Sequence, residues 1–151
     1  MAPDEMNSSS SAAFAVTADM DSLQQIMQTV ADAMNASGFG PQEVFEVQLA
    51  VEEACTNIIR HAYEGRTGSI YISILTEEDK LKILIEDDGP PFDPTEHTNM
   101  RRRGQDDIEG PVGGWGIGLI KAVMDEMTYR RSSDRNILCL VKMRSEPQDQ
   151  E

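Results

Sequence analysis

A chain of 151 residues is long enough for one domain with a real core, and 13 basic against 27 acidic residues give it a formal charge of −14. That charge argues against direct nucleic-acid binding, which needs a basic face. No apolar run approaches the roughly 20 residues of a membrane span, so no membrane partner is expected.

The acidic, Ser-rich N-terminus does not read as a signal peptide. The two cysteines, Cys55 and Cys139, lie in apolar runs and make no disulfide framework, so reduced thiols in a cytoplasmic protein are expected. Residues 1–12 are small and polar and read as a disordered tail, residues 145–151 as a fraying end, and 13–144 as the domain between them. Phe14-Ala15-Val16 alternates like a short edge strand. Asp21 or Ser22 then caps a helix with Leu23, Ile26, Met27, Val30, Ala33 and Met34 at helical spacing, ended by Gly38 and Gly40. Pro41 suits the first turn of a second helix, which carries Val44, Val47, Leu49, Val51, Ala54, Ile58 and Ile59 to about Tyr63. Residues 69–75 and 81–86 alternate as two strands about a charged turn. A long polar loop over 90–112 holds Arg101, Arg102 and Arg103. A glycine turn then feeds a helix over 117–127, and 127–131 with 137–143 close the chain as strands. Helices early and strands late predict an α/β chain of the two-layer α+β sandwich kind, with a mixed, mostly antiparallel sheet and helices on one face. No Lys or Arg precedes Arg60. That reads either as a solvated acidic face or as a surface that steers a basic partner.

The glycine turn is Gly113-Gly114-Trp115-Gly116-Ile117-Gly118-Leu119. Glycines there allow close backbone approach to a ligand, and a helix N-terminus behind them suits a phosphate. A tight structural turn or a glycine-rich linker would read the same way. On the second helix Glu53, Asn57 and His61 fall at i, i+4 and i+8, with Arg60 beside them. Asn57 is a mediocre helix former whose side chain offers an oxygen ligand for Mg²⁺, and Glu53 one turn away offers a proton acceptor. The same residues also read as ordinary surface or satisfied polar groups. At the end of a strand, Glu86-Asp87-Asp88-Gly89 puts a carboxylate where it can accept from the exocyclic amine of adenine, or where it is an acidic turn.

Together, Glu-x-x-x-Asn on a helix, Asp-x-Gly after a strand and Gly-x-Gly-x-Gly-Leu before a helix resemble the N, G1 and G2 boxes of GHKL (histidine kinase-like) ATPases. Within that superfamily the chain is most similar to the stand-alone anti-sigma-factor serine/threonine kinases of bacteria. The resemblance covers about residues 14–143 and rests on 49–63, 87–94, 116–120 and 124–126. It implies the ATP-binding fold of that superfamily, with ATP and Mg²⁺ as cofactors. Glu53 would be the general base and Asn57 the Mg²⁺ ligand. Asp87 would bind adenine, with Gly89 allowing close approach. Gly114, Gly116, Ile117, Gly118 and Leu119 would form the phosphate turn and the hinge of a lid over 94–112, with Arg60 and His61 near the phosphates. The implied activity is phosphorylation of a small anti-anti-sigma (STAS-type) protein, with sequestration of a sigma factor and homodimer formation. The alternative is a module that binds nucleotide only to set its shape and sequesters a regulator without kinase activity. Two departures stand out. Pro91 replaces the second glycine of the G1 box. The threonine that often supports the adenine-binding aspartate from near the last strand is absent, the region reading Asp134-Arg135-Asn136 with only Ser132 and Ser133 as nearby hydroxyls.

Overall fold

The alternating segments pair into one sheet of five strands: β1 (Ser10–Thr17), β2 (Ser69–Glu77), β3 (Lys80–Asp87), β4 (Glu126–Ser132) and β5 (Arg135–Met143), in the order β1-β2-β3-β5-β4. The computed structural model describes residues 10–63, 66–95 and 118–145. Each of the four described pairings is antiparallel, so the sheet expected to be mixed is antiparallel throughout the described residues. Period-two alternation puts Ile70, Ile72 and Ile74 of β2, Leu81, Ile83 and Ile85 of β3, and Leu138 and Leu140 of β5 into one buried layer. Two helices supply the opposing layer: α1 (Leu23–Ala36) with Ile26, Val30 and Met34, and α2 (Pro41–Asn57) with Val47, Val51 and Ala54.

β1 is the expected edge strand but begins at Ser10, inside the stretch read as tail. Its first residues pair with residues 73–76 of β2, and this ladder outweighs their small, polar composition. The side-chain cap before α1 is also displaced. Asp19 Oδ1 accepts from Ser22 N at 2.9 Å and from Ser22 Oγ at 3.0 Å, and a single 3₁₀ turn, Met20–Ser22, leads into the helix. Ser22 itself makes no side-chain cap bond.

α2 opens on Pro41, with Glu43 Oε1 accepting from Gly40 N at 3.1 Å. The other Glu43 oxygen accepts from Ser145 N and Oγ at 2.9 and 2.6 Å, so the chain just past β5 is tied to the start of α2. α2 does not stop at Asn57. It passes into a π turn, Ile58–Ala62, closed by Tyr63 N donating to Ile58 O at 3.0 Å.

The helix after the glycine turn ends earlier than expected. Residues 118–123 are helical; Asp125 N then donates to Val141 O at 2.8 Å and β4 begins at Glu126. Lys142 Nζ donates to Val123 O at 2.6 Å and to Glu46 Oε1 of α2 at 3.0 Å, which pins the C-terminal end of that helix between β5 and α2. β4 and β5 join through Ser133 and Asp134, whose φ values of 53° and 65° make a two-residue hairpin loop of the primed kind. Both cysteines are free thiols; Cys55 is buried, and burial pushes its thiol up to about 12. Among the described residues no helix is long and apolar enough to cross a membrane.

Candidate functional site

The C-terminal end of α2, the end of β3 and the start of β5 converge on one pocket. Asn57, Asp87 and Asn136, all buried, line it with Ile85, Ile120 and Tyr129. An apolar slot with a few converging polar groups is the usual form of a small-ligand site. Asp87 enters it because it continues the alternation of Leu81, Ile83 and Ile85 on the helix-facing side of β3.

Asp87 Oδ1 accepts from Gly89 N at 2.8 Å and from Asn136 Nδ2 at 2.9 Å; among the described residues no donor falls on Oδ2. Burial raises the pKa of this carboxyl above its ordinary value, and the two hydrogen bonds offset only part of that rise.

Asn136 organises the turn that follows. Its Nδ2 also donates to Pro90 O at 2.9 Å. Its Oδ1 accepts from Phe92 N at 3.1 Å, from the Tyr129 hydroxyl, and from Arg131 Nη1 at 3.2 Å. Arg131 Nη1 in turn donates to Gly89 O at 2.7 Å. The residue missed by sequence reasoning is therefore Asn136, an amide in the region where a supporting hydroxyl was sought. The two-residue loop at Ser133-Asp134 is a local signal for Asn136 opposite Arg131, but its place opposite Asp87 comes from the pairing of β3 with β5, which no local pattern announces.

Gly89 allows a close approach, and the neighbour it approaches is Ala62 of the π turn. A Cβ on Gly89 would stand 2.8 Å from the Ala62 carbonyl oxygen and 2.9 Å from its Cβ. Tyr63 secures the other side of the turn: its hydroxyl accepts from Asp88 N at 2.8 Å and donates to Ser69 O at 2.7 Å. On the open face of the sheet Arg135 lies 3.7 Å over the Tyr71 ring and pairs with Asp88 and Glu86 at 3.0 and 3.3 Å.

Glu53 stands one helical turn before Asn57 and is half-buried. Its Oε1 is buried and has no hydrogen-bond partner among the described residues. Burial raises its pKa, Glu52 adds to the rise, and Arg60 opposes it. Arg60 is exposed. His61 leaves the line of Glu53 and Asn57 because the π turn intervenes. It stacks on Phe92, ring centroids 5.5 Å apart, so it backs the pocket wall without lining the pocket.

Gly118 and Leu119 are helical. A Cβ on Gly118 would meet nothing within 4 Å, so internal packing does not demand glycine there. Gly114, Gly116 and Ile117, the arginines at 101–103, and the expected lid apart from Pro94 and Thr95 lie outside the described residues. Among the described residues no three His, Cys, Asp or Glu side chains gather as a metal site. A hard cation here would take one oxygen from Asn57 and the rest from a ligand and water, a pattern suited to Mg²⁺.

Comparison with known proteins gives a consistent picture. A model of the histidine kinase-like ATPase domain matches residues 16–142. Proteins named serine-protein kinase RsbW from Bacillus cereus and from Bacillus thuringiensis subsp. konkukian are each 34% identical over 119 residues, 75% of this chain and 72% of theirs. A solved structure of the RsbU and RsbW domains of a Mycobacterium tuberculosis protein superposes with TM-score 0.64 at 12% identity. The match covers 91% of this chain but only 33% of that one. The structure of the SiaB–SiaC complex from Pseudomonas aeruginosa superposes with TM-score 0.55 at 15% identity over 87% of this chain and 88% of the matched one.

Proposed function

Because the chain belongs to the histidine kinase-like ATPase family, we propose that it is an ATP-dependent protein serine/threonine kinase and anti-sigma factor. Its substrate is a small anti-anti-sigma protein of the STAS type in a partner-switching system. The observation that carries the reading is the buried Glu53 Oε1, without a partner among the described residues, one turn from Asn57 on the helix that walls a pocket containing Asp87. A module that only bound nucleotide would have no use for a proton acceptor there.

Asp87 reads adenine: Oδ1 is held by Gly89 and Asn136, and Oδ2 is left to accept from the exocyclic amine. Asn57 contributes the single protein oxygen to Mg²⁺. Gly114, Gly116, Ile117, Gly118 and Leu119 would hold the phosphates, with Arg60 and His61 as further phosphate-binding candidates. When bound, Mg-ATP supplies the phosphoryl group and neutralises its developing charge. Glu53 would take the proton of the attacking serine or threonine hydroxyl as its oxygen bonds the γ-phosphorus and the bond from that phosphorus to the β–γ bridging oxygen breaks, ADP leaving; burial raises the Glu53 pKa toward the working pH of a general base. The protein acts in the cytoplasm as a homodimer and also sequesters a sigma factor.

The test is incubation of the purified protein with Mg-ATP and each anti-anti-sigma protein encoded in the same genome, followed by mass spectrometry. Phosphoserine or phosphothreonine that appears with wild type and not with Glu53→Gln supports the kinase. Tight, nucleotide-dependent binding without transfer to any candidate would replace it with the sequestering module.

A further inference from the structure

The outward ridge of α2 carries an apolar stripe that neither the core nor the pocket uses. Phe45 is 59% exposed, more than any other large apolar side chain among the described residues. Leu49, one turn on, is half-buried, and Glu53 follows one turn later. The three fall at i, i+4 and i+8, in line on the face opposite Val44, Val47 and Val51. At about 1.5 Å of rise per residue, Leu49 lies about 6 Å and Phe45 about 12 Å along the axis from Glu53. Beside the stripe stand Glu46, ion-paired with Lys142 of β5 at 3.0 Å, and the exposed Glu52; α2 itself carries no Lys or Arg.

We propose that Phe45 and Leu49 are the docking anchor for the protein substrate, which meets them with an apolar contact flanked by Lys or Arg and so delivers its hydroxyl to Glu53. The proposal rests on the kinase reading above. The occupant is the substrate because the ridge runs along α2 to Glu53, the side chain that the hydroxyl must reach. An extended segment covers that distance in about four residues. A second copy of this chain is disfavoured, since its α2 has no Lys or Arg to set against Glu52, and the Lys142 ammonium beside Glu46 is already held by that carboxylate and by Val123 O. Aromatic side chains at the centre of an interface carry much of its binding energy, and Phe45 is the aromatic exposed on this face.

The test uses the full chain with Phe45→Ala and Phe45→Glu, and as probe the anti-anti-sigma protein of the same genome that binds wild type most tightly. Four quantities are read: partner Kd, KM against kcat for phosphoryl transfer, the thermal shift caused by Mg-ADP, and solution mass. Phe45→Glu is expected to raise Kd and KM at least tenfold, with kcat, the Mg-ADP shift and mass unchanged; wild-type KM rises with salt. Unchanged Kd overturns the proposal. So does a lost Mg-ADP shift, which would assign the ridge to residues 96–117 of this chain, or a changed mass, which would assign it to a second copy. If wild type binds a partner without transfer, the kinase reading fails while the Kd comparison still decides the docking surface. If no anti-anti-sigma protein of the genome binds wild type, the docking proposal fails.

Discussion

Asp87 and Asn136 stand directly opposite each other across β3 and β5, and the Asn136 amide donates to Asp87 Oδ1 over 2.9 Å. The same amide group holds Pro90, Phe92, Tyr129 and Arg131, so one side chain sets both the carboxylate and the turn beyond it.

Asn136→Ala is expected to cost about 2–3 kcal/mol of stability in urea unfolding, because it strips partners from buried polar groups. Asn136→Asp keeps the shape but sets a second carboxyl against Asp87. One of the two then holds a proton in the folded state, so their folded pKa is raised. The stability of this variant is fullest below the unfolded carboxylate range and falls as pH rises through the folded value, whereas wild type lacks this added fall. Chemical denaturation at pH 4, 6 and 8 reads the difference.

Glu53→Gln is expected to lower phosphoryl transfer by about 10²–10⁴-fold, the usual contribution of a general base. The same change raises the melting temperature at neutral pH. Burial raises the folded pKa of Glu53, so the folded state binds this proton more tightly than the unfolded one. Its ionisation therefore costs stability as pH rises through the folded value. The difference between variant and wild type closes below the ordinary glutamate pKa. A variant both inactive and less stable at pH 7 would contradict the assignment.

Two glycines make opposite predictions. Gly89→Ala drives a Cβ against the Ala62 carbonyl and is expected to cost about 1–3 kcal/mol without any ligand. Gly118→Ala meets no neighbour and lies in a helix, so the apo protein is as stable or up to about 1 kcal/mol more stable. Differential scanning fluorimetry with and without Mg-ADP checks the pair. For Gly118→Ala the loss should appear only in the nucleotide-induced shift, since ligand stabilisation follows affinity.

Asp134→Gly relieves a left-handed backbone position in the β4–β5 loop, where φ is 65°. It is expected to stabilise the protein by about 0.5–1 kcal/mol, measured as a shift of the urea midpoint at constant slope.

The candidate site was legible where its logic is local. Glu53 and Asn57 share one helix, and Asp87 follows from the alternation of one strand. Asn136 was not legible, because its bond to Asp87 spans 49 residues and depends on β3 lying beside β5. His61 was misaligned with Glu53 and Asn57 because nothing in the spacing announces the π turn at Ile58–Ala62. The helix after the glycine turn was drawn too long because Met124 and Met127 suit a helical stripe. Met127 in fact belongs to β4, whose pairing with β5 decides the matter. The first four residues of β1 were likewise claimed by their partner strand and not by their own composition.

The Lys142 clamp has a mechanical consequence. A helix gripped at its last carbonyl behaves as a lever with its fulcrum at that end. A push delivered at Gly118 becomes a tilt about Val123 instead of a slide. β5 carries both the fulcrum, Lys142, and the brace for Asp87, Asn136, so the tilt is measured from the strand that fixes the Asp87 carboxylate. Through Glu46 the same lysine also grips α2 beside Phe45. A load on that ridge and a load on the Gly118 helix therefore bear on one ammonium group.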